Sequence, residues 1–152
     1  FRGISKYTAL DLIKWSREIR EKINRDHNFI HPLDKKINGC SHLLWAGKPS
    51  KKFSTASNAV FYGDKAIDRS PCGTGTCARM AQWYKKGKLK KGEKFVHESI
   101  IGSTFIGRIE NEINIGKYKG IVPSIQGSAR ITGYNKLILD PEDPYVKGFQ
   151  VV

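Results

Sequence analysis

Long hydrophobic runs are missing from this chain of 152 residues. Apolar stretches such as Ile100–Ile101 extend for only a few residues, far short of the roughly 20 that a membrane-spanning helix needs. No membrane association is therefore expected. The opening residues carry Arg2, Lys6, Asp11 and Lys14 and no apolar core of a secretory signal. Phe1 stands where a natural chain would start with Met, so a missing N-terminal portion is expected. Cysteine is scarce. Cys40, Cys72 and Cys77 form an odd set without C-x-x-C spacing, which argues against both a disulfide framework and a structural zinc site. Reduced thiols in a cytoplasmic protein are the natural expectation, with no metal site. Acidic residues are also few, 14 against 27 Lys and Arg, for a net charge of +13. Such a balance raises the possibility of a basic nucleic-acid-binding module. The basic residues gather once, in Lys85-Lys86-Gly87-Lys88-Leu89-Lys90-Lys91, with no interleaved aromatics and no recognised binding motif. A solvated Lys-rich turn is the simpler reading, and nucleic acid is not expected as a partner.

What remains is an ordinary globular composition, 39% hydrophobic and 27% charged, in a length suited to one domain. Thr8 with Asp11 resembles a capping box, and Leu12, Trp15, Ile19 and Ile23 follow at helical spacing. Short β-prone runs occupy Cys40–Trp45 and Asn58–Tyr62, the second ended by a Gly63-Asp64 turn. A second helix is predicted from about Gly75, with Cys77, Met80, Ala81 and Tyr84 as its apolar stripe and Gly87 as its C-terminal cap. Further strands are predicted at Lys94–Ser99, Ser103–Ile109, Ile121–Ile125 and Ala129–Leu139, and at Phe149–Val152. Two helices among many short strands make the fold class α+β.

The chemistry concentrates in Asp68-Arg69-Ser70-Pro71-Cys72-Gly73-Thr74-Gly75-Thr76, which runs directly into the second helix. Pro71 stiffens the approach, and the glycines allow a tight turn with exposed amides. Cys72 then sits at a helix N-terminus, where free N–H groups and the positive end of the dipole favour thiolate over thiol. The Gly73 and Thr74 amides can hold a substrate carboxylate, and Asp68 a cationic amine. The set suits an amino-acid zwitterion. A glycine-rich cap beside a buried thiol is the competing structural explanation.

That stretch resembles the second catalytic motif of the proline racemase family. Val96-His97-Glu98-Ser99-Ile100-Ile101-Gly102-Ser103, Gly107-Arg108, Thr132-Gly133-Tyr134-Asn135 and Asp140-Pro141-Glu142-Asp143-Pro144-Tyr145 extend the resemblance over nearly the whole chain. Within the family, Gly39-Cys40-Ser41-His42, Val60–Ile67 and Pro123–Gly127 are most similar to 4-hydroxyproline 2-epimerases, with proline racemase the runner-up. Cys72 argues against the related dehydratases, which resemble this sequence but carry threonine there. The family's earlier Met-Cys-Gly-His motif, with its other catalytic cysteine, is absent. Residues 1–152 thus resemble the C-terminal half of a two-domain enzyme.

The resemblance implies one of the two like domains of a diaminopimelate epimerase-like fold: a curved antiparallel sheet wrapped around a central helix. It implies cofactor-independent proton transfer at Cα between two thiols, Cys72 being one, with no metal, pyridoxal phosphate or flavin. Asp68, Gly73 and Thr74 would bind substrate, joined by His42 and Tyr62 near the pocket. Cys40 and Cys77 are read as small core residues and His97 as architectural. Expected partners are proline or 4-hydroxyproline, the absent half-enzyme, and a second copy in a homodimer. Residues 136–152 would pack on the absent domain, and this chain alone would be inactive.

Overall fold

The computed structural model describes residues 3–149. Helix α1 (Ala9–Asp26) opens with the predicted capping box: the Asp11 N–H donates to Thr8 Oγ1 at 3.1 Å, and the Thr8 N–H to Asp11 Oδ2 at 2.9 Å. Leu12 and Ser16 are buried, while Trp15, Ile19 and Ile23 are half-buried on the same side. No described helix is long and apolar enough to cross a membrane.

Six strands form one sheet: β1 (Leu43–Gly47), β2 (Ala56–Tyr62), β3 (Ala66–Ile67), β4 (Phe95–Ser99), β5 (Thr104–Ile115) and β6 (Tyr118–Gln126). Their order is β1-β2-β4-β5-β6, with β3 folded back on the end of β2 across the Gly63-Asp64 turn. The sheet is not wholly antiparallel as expected. Strands β2 and β4 pair in parallel, with Ala56 opposite His97 and Asn58 opposite Ser99. Adjacent parallel strands need a crossover, and helix α2 (Gly73–Lys85) lies in it.

Each face of the sheet carries one helix. Alternate residues of β2 point to opposite sides, so Ala56, Asn58 and Val60 face α2 while Ala59 faces α1. On the α2 side, Ala56, Met80, Leu89, Phe95 and Ile109 form one core. On the other side, Ile4, Leu12 and Ala59 form the second, with Trp15, Trp45 and Ile67 packed against it. Fully burying each large side chain contributes on the order of 1.5–3 kcal/mol. Trp45 Nε1 donates to Ser16 Oγ at 2.8 Å, satisfying a buried hydroxyl and setting how α1 lies on the sheet. Arg17 and Arg20 of α1 reach Asp64, anchoring the β2–β3 turn.

Several elements depart from the sequence expectation. Strand β5 continues to Ile115, past the predicted end at Ile109. Helix α2 begins at Gly73, two residues before the predicted start. No strand forms across Ala129–Leu139, where Ile131, Leu137, Ile138 and Leu139 are all exposed; no apolar surface among the described residues covers them. The strand expected over Phe149–Val152 lies outside the described residues except for Phe149, which is exposed and outside any strand. The Lys-rich run is the end of α2 and the turn after it, interrupted by Leu89, which is buried in the core.

Strand β4 is buried on both sides. Glu98 accepts from Ser50 and from the Lys51 N–H. Burial pushes its carboxyl up, but the hydrogen bonds from Ser50, Lys51 and Ser54 outweigh it and leave the pKa below the ordinary carboxylate value. His97 faces α2, where burial, reinforced by the Arg79 charge, lowers its pKa to about 4.

Two outcomes follow from this packing. A Cβ on Gly107 would stand 2.6 Å from Met80 Sδ, with Met80 fully buried. Gly107→Ala should therefore destabilise the fold by roughly 1–3 kcal/mol of overpacking, read from the denaturant midpoint. For pH, the His97 ring is neutral in the folded state, while the unfolded ring takes up a proton near 6.5. Its contribution to stability is complete above about pH 6.5 and is lost as pH falls toward 4. Glu98 adds a second loss at still lower pH, because its folded carboxylate must be protonated below the ordinary carboxylate range. Denaturant midpoints measured from pH 7 to 4 should fall, and His97→Gln should flatten that limb.

Candidate active site

The loop from β3 to α2 is built by a chain of local hydrogen bonds. Asp68 Oδ1 accepts from the Ser70 N–H at 2.8 Å, and Ser70 Oγ accepts from the Cys72 N–H at 3.0 Å. These turns deliver Cys72 to the N-cap of α2 with φ 62° and ψ 123°. Among the described residues it is the only non-glycine with positive φ. A residue with a β-carbon is strained there by about 1–3 kcal/mol. Its carbonyl accepts the first helical bond, from the Thr76 N–H at 2.9 Å.

This backbone lays the sulfur over the first turn of the helix. Cys72 Sγ accepts from the Gly75 N–H at 3.4 Å and lies 3.4 Å from Thr74 Oγ1. A Cβ on Gly75 would approach Sγ to 3.4 Å and Leu44 Cδ1 to 3.2 Å, so glycine keeps room for the sulfur. The N–H groups of Gly73 and Thr74, at the first two helical positions, have no helical acceptor and are available to an anion.

Beneath the loop lies a buried polar triad. The Pro71 carbonyl accepts from Asn58 Nδ2 at 2.7 Å and Thr76 Oγ1 at 3.1 Å. Thr76 Oγ1 lies 2.9 Å, and Asn58 Nδ2 3.2 Å, from His97 Nδ1. His97 is thus buried beneath the site, in keeping with an architectural role.

A cleft of about 450 Å³ opens between α2 and the segment leading into β1. Cys72, Thr74 and His42 line it together. The His42 ring packs parallel to Tyr62, with centroids 6.4 Å apart and planes 17° from parallel, and its Nδ1 lies 2.7 Å from Ser41 Oγ. Tyr62 flanks His42 without lining the cleft. Asp68 stands in the approach loop outside the cleft wall, with one carboxylate oxygen already engaged by Ser70. Gly73 is exposed at the helix end.

Neither of the other cysteines is a core residue. Cys40 is half-buried, lines the same cleft as Cys72 and donates to the His42 carbonyl at 3.3 Å. Cys77 is half-buried in α2, where burial and, secondarily, the neighbouring Cys72 push its thiol pKa up. Sequence reasoning passed over Arg79 and Gln82, which line the cleft further along α2 and bond to each other. The signal was there in the spacing: positions 72, 75, 79 and 82 share one face of a helix. No carboxylate pairs with Arg79 among the described residues. No described cluster of His, Cys, Asp or Glu could hold a metal ion.

Known proteins are similar to this chain over most of its length. The 4-hydroxyproline 2-epimerase of Spirosoma linguale is 64% identical over 152 residues, covering 100% of this chain and 46% of that protein. A protein of the same name from Shewanella loihica is 54% identical over the same length and coverage. The chain spans about half the length of these curated relatives. Among solved structures, a hydroxyproline epimerase from Agrobacterium vitis, with bound trans-4-hydroxy-L-proline, superposes with a TM-score of 0.76 at 26% identity; the match covers 93% of this chain and 40% of that one. A probable proline racemase from Agrobacterium radiobacter gives 0.78 at 28% identity, over 99% of this chain and 43% of that one. The proline racemase family model matches residues 1–150. With that family model matching nearly its whole length and its mixed α+β fold superposing on these structures, the chain belongs to the proline racemase family.

Proposed function

We propose that this chain forms the Cys72-bearing half of a cofactor-independent 4-hydroxyproline 2-epimerase. The observation that carries the reading is the Cys72 sulfur, set over the first turn of α2 and facing a cleft beside two free helix amides. The relatives named above supply the substrate class.

Inverting an amino-acid Cα requires removing a proton from one face and delivering another to the opposite face. One rigid side chain does not reach both faces, so two acid/base groups flank the carbon. In one direction the Cys72 thiolate takes the Cα proton and becomes a thiol. The electron pair left on carbon spreads into the substrate carboxylate, which the Gly73 and Thr74 N–H groups hold. A second thiol, from outside these residues, gives its proton to the opposite face and is left as thiolate. Asp68 uses its remaining carboxylate oxygen for the ring amine, keeping the substrate zwitterionic. His42 and Tyr62 bound the pocket on the β1 side. Residues 136–152, exposed over their described part, pack on the other half of the enzyme.

Three measurements test this reading. In the folded protein Cys72 should react with iodoacetamide at least about 10-fold faster near neutral pH than Cys40 or Cys77, as expected of a thiol at a helix N-terminus. Equal rates for all three would remove the activated thiol. The full-length protein should epimerise trans-4-hydroxy-L-proline, followed by optical rotation, and should discriminate against proline because a site that bonds the hydroxyl leaves polar groups unpaired without it. Equal turnover on proline would make it a racemase. This chain alone should be slower than the full-length protein by at least about 10²–10⁴-fold, the typical contribution of one acid/base group.

A further inference from the structure

Cys72 is held in an unfavourable backbone conformation, and the local hydrogen bonds of its loop account for only part of the restraint. Ser70 Oγ holds the N–H side of the Pro71–Cys72 peptide, but nothing within the loop holds its carbonyl side. The carbonyl is gripped from below instead. On Pro71, it takes one hydrogen bond from β2 through Asn58 and another from α2 through Thr76. Both donors also rest on His97 of β4, so three separate elements meet under one carbonyl. Asn58, Thr76 and His97 are each 0% exposed.

The details favour a clamp over incidental packing. The Asn58 amide is used only through its donor side: Nδ2 donates to the Pro71 carbonyl, while Oδ1 is buried without a partner. A residue retained for shape alone would not need to bury an unsatisfied oxygen. Rotating the Pro71–Cys72 peptide would remove the acceptor from both donors, in a core that water does not reach. It would also carry the sulfur off the Gly75 N–H.

We propose that Asn58 and Thr76, seated by His97, are positioning residues that hold the Pro71–Cys72 peptide and thereby keep the Cys72 sulfur over the N-terminus of α2. None of the three lines the cleft, and the side chains of Asn58 and Thr76 act through that carbonyl. The inference rests on the functional reading only in treating Cys72 as the working thiol, and its test does not need catalysis.

The test is the pH profile of iodoacetamide alkylation at Cys72 in the full-length protein, with peptide mass mapping to separate the thiols and circular dichroism melting to check the fold. Thr76→Val removes the hydroxyl at nearly constant shape, Thr76→Ser keeps it, and Asn58→Leu removes the amide donors. For Thr76→Val and Asn58→Leu we expect a pH 7 rate about 10-fold lower at Cys72, with Cys40 unchanged, because the sulfur is carried off the helix N-terminus. Thr76→Ser should stay within about 3-fold of the parent, the hydroxyl being the group that matters. The proposal is overturned if folded Thr76→Val and Asn58→Leu keep the parental profile, or if Thr76→Ser is as impaired as Thr76→Val. It is equally overturned if both donor-deleting variants fail to fold, since the triad would then serve the fold and not the thiol. If the alkylation pattern holds and the parent protein leaves hydroxyproline unchanged, the functional reading fails and the positioning inference stands.

Discussion

Strands β2 and β4 lie side by side and parallel, and two such strands cannot be joined by a hairpin. The chain must leave the end of β2, cross one face of the sheet and return, and α2 lies in that crossover. Strand β3 first carries the chain back along β2, so the N-terminus of α2 lies over Asn58 and Val60. The glycine-containing loop there then presents its thiol to the cleft. The reactive group is thus a consequence of strand pairing as much as of the residues flanking it. The same pairing brings Asn58 of β2 and His97 of β4 under the loop, where they hold the Pro71 carbonyl together with Thr76.

Stability and chemistry draw on different faces. The face under α1 is closed by Leu12, Ala59 and the Trp45–Ser16 bond, and the arginines of α1 fasten the β2–β3 turn. The face under α2 buries Met80 and Phe95 but stays open at the helix N-terminus, where the cleft runs along β1. A thiol needs some access to react, and Cys72, 8% exposed, borders that cleft. The unpaired stretch after β6, with its exposed Leu137, Ile138 and Leu139, is the part that the described residues leave uncovered.

Much was legible before any coordinates. The capping box at Thr8 and Asp11, the Gly63-Asp64 turn and the position of Cys72 ahead of a helix all rest on interactions between residues a few positions apart. Local propensity and spacing report such contacts directly. The segment Ala129–Leu139 misled for the opposite reason: its composition suits a strand, but a strand exists only with a partner to pair with. Cys40 misled similarly, since a short apolar-looking run does not say which of its residues will border a cleft.

By itself, then, the sequence determined what its short-range chemistry could encode: the two helices and their caps, the tight turns, and a cysteine followed by helix amides able to hold an anion. Tertiary structure alone decided that β2 and β4 pair in parallel, that Asn58, Thr76 and His97 meet beneath Pro71, and that Cys40, His42 and Arg79 share a cleft with Cys72. Those residues lie on separate elements, and their meeting depends on sheet order and on which face each side chain takes. A period of two or of 3.6 residues can assign a residue to a face, but not to the neighbour that the face will meet.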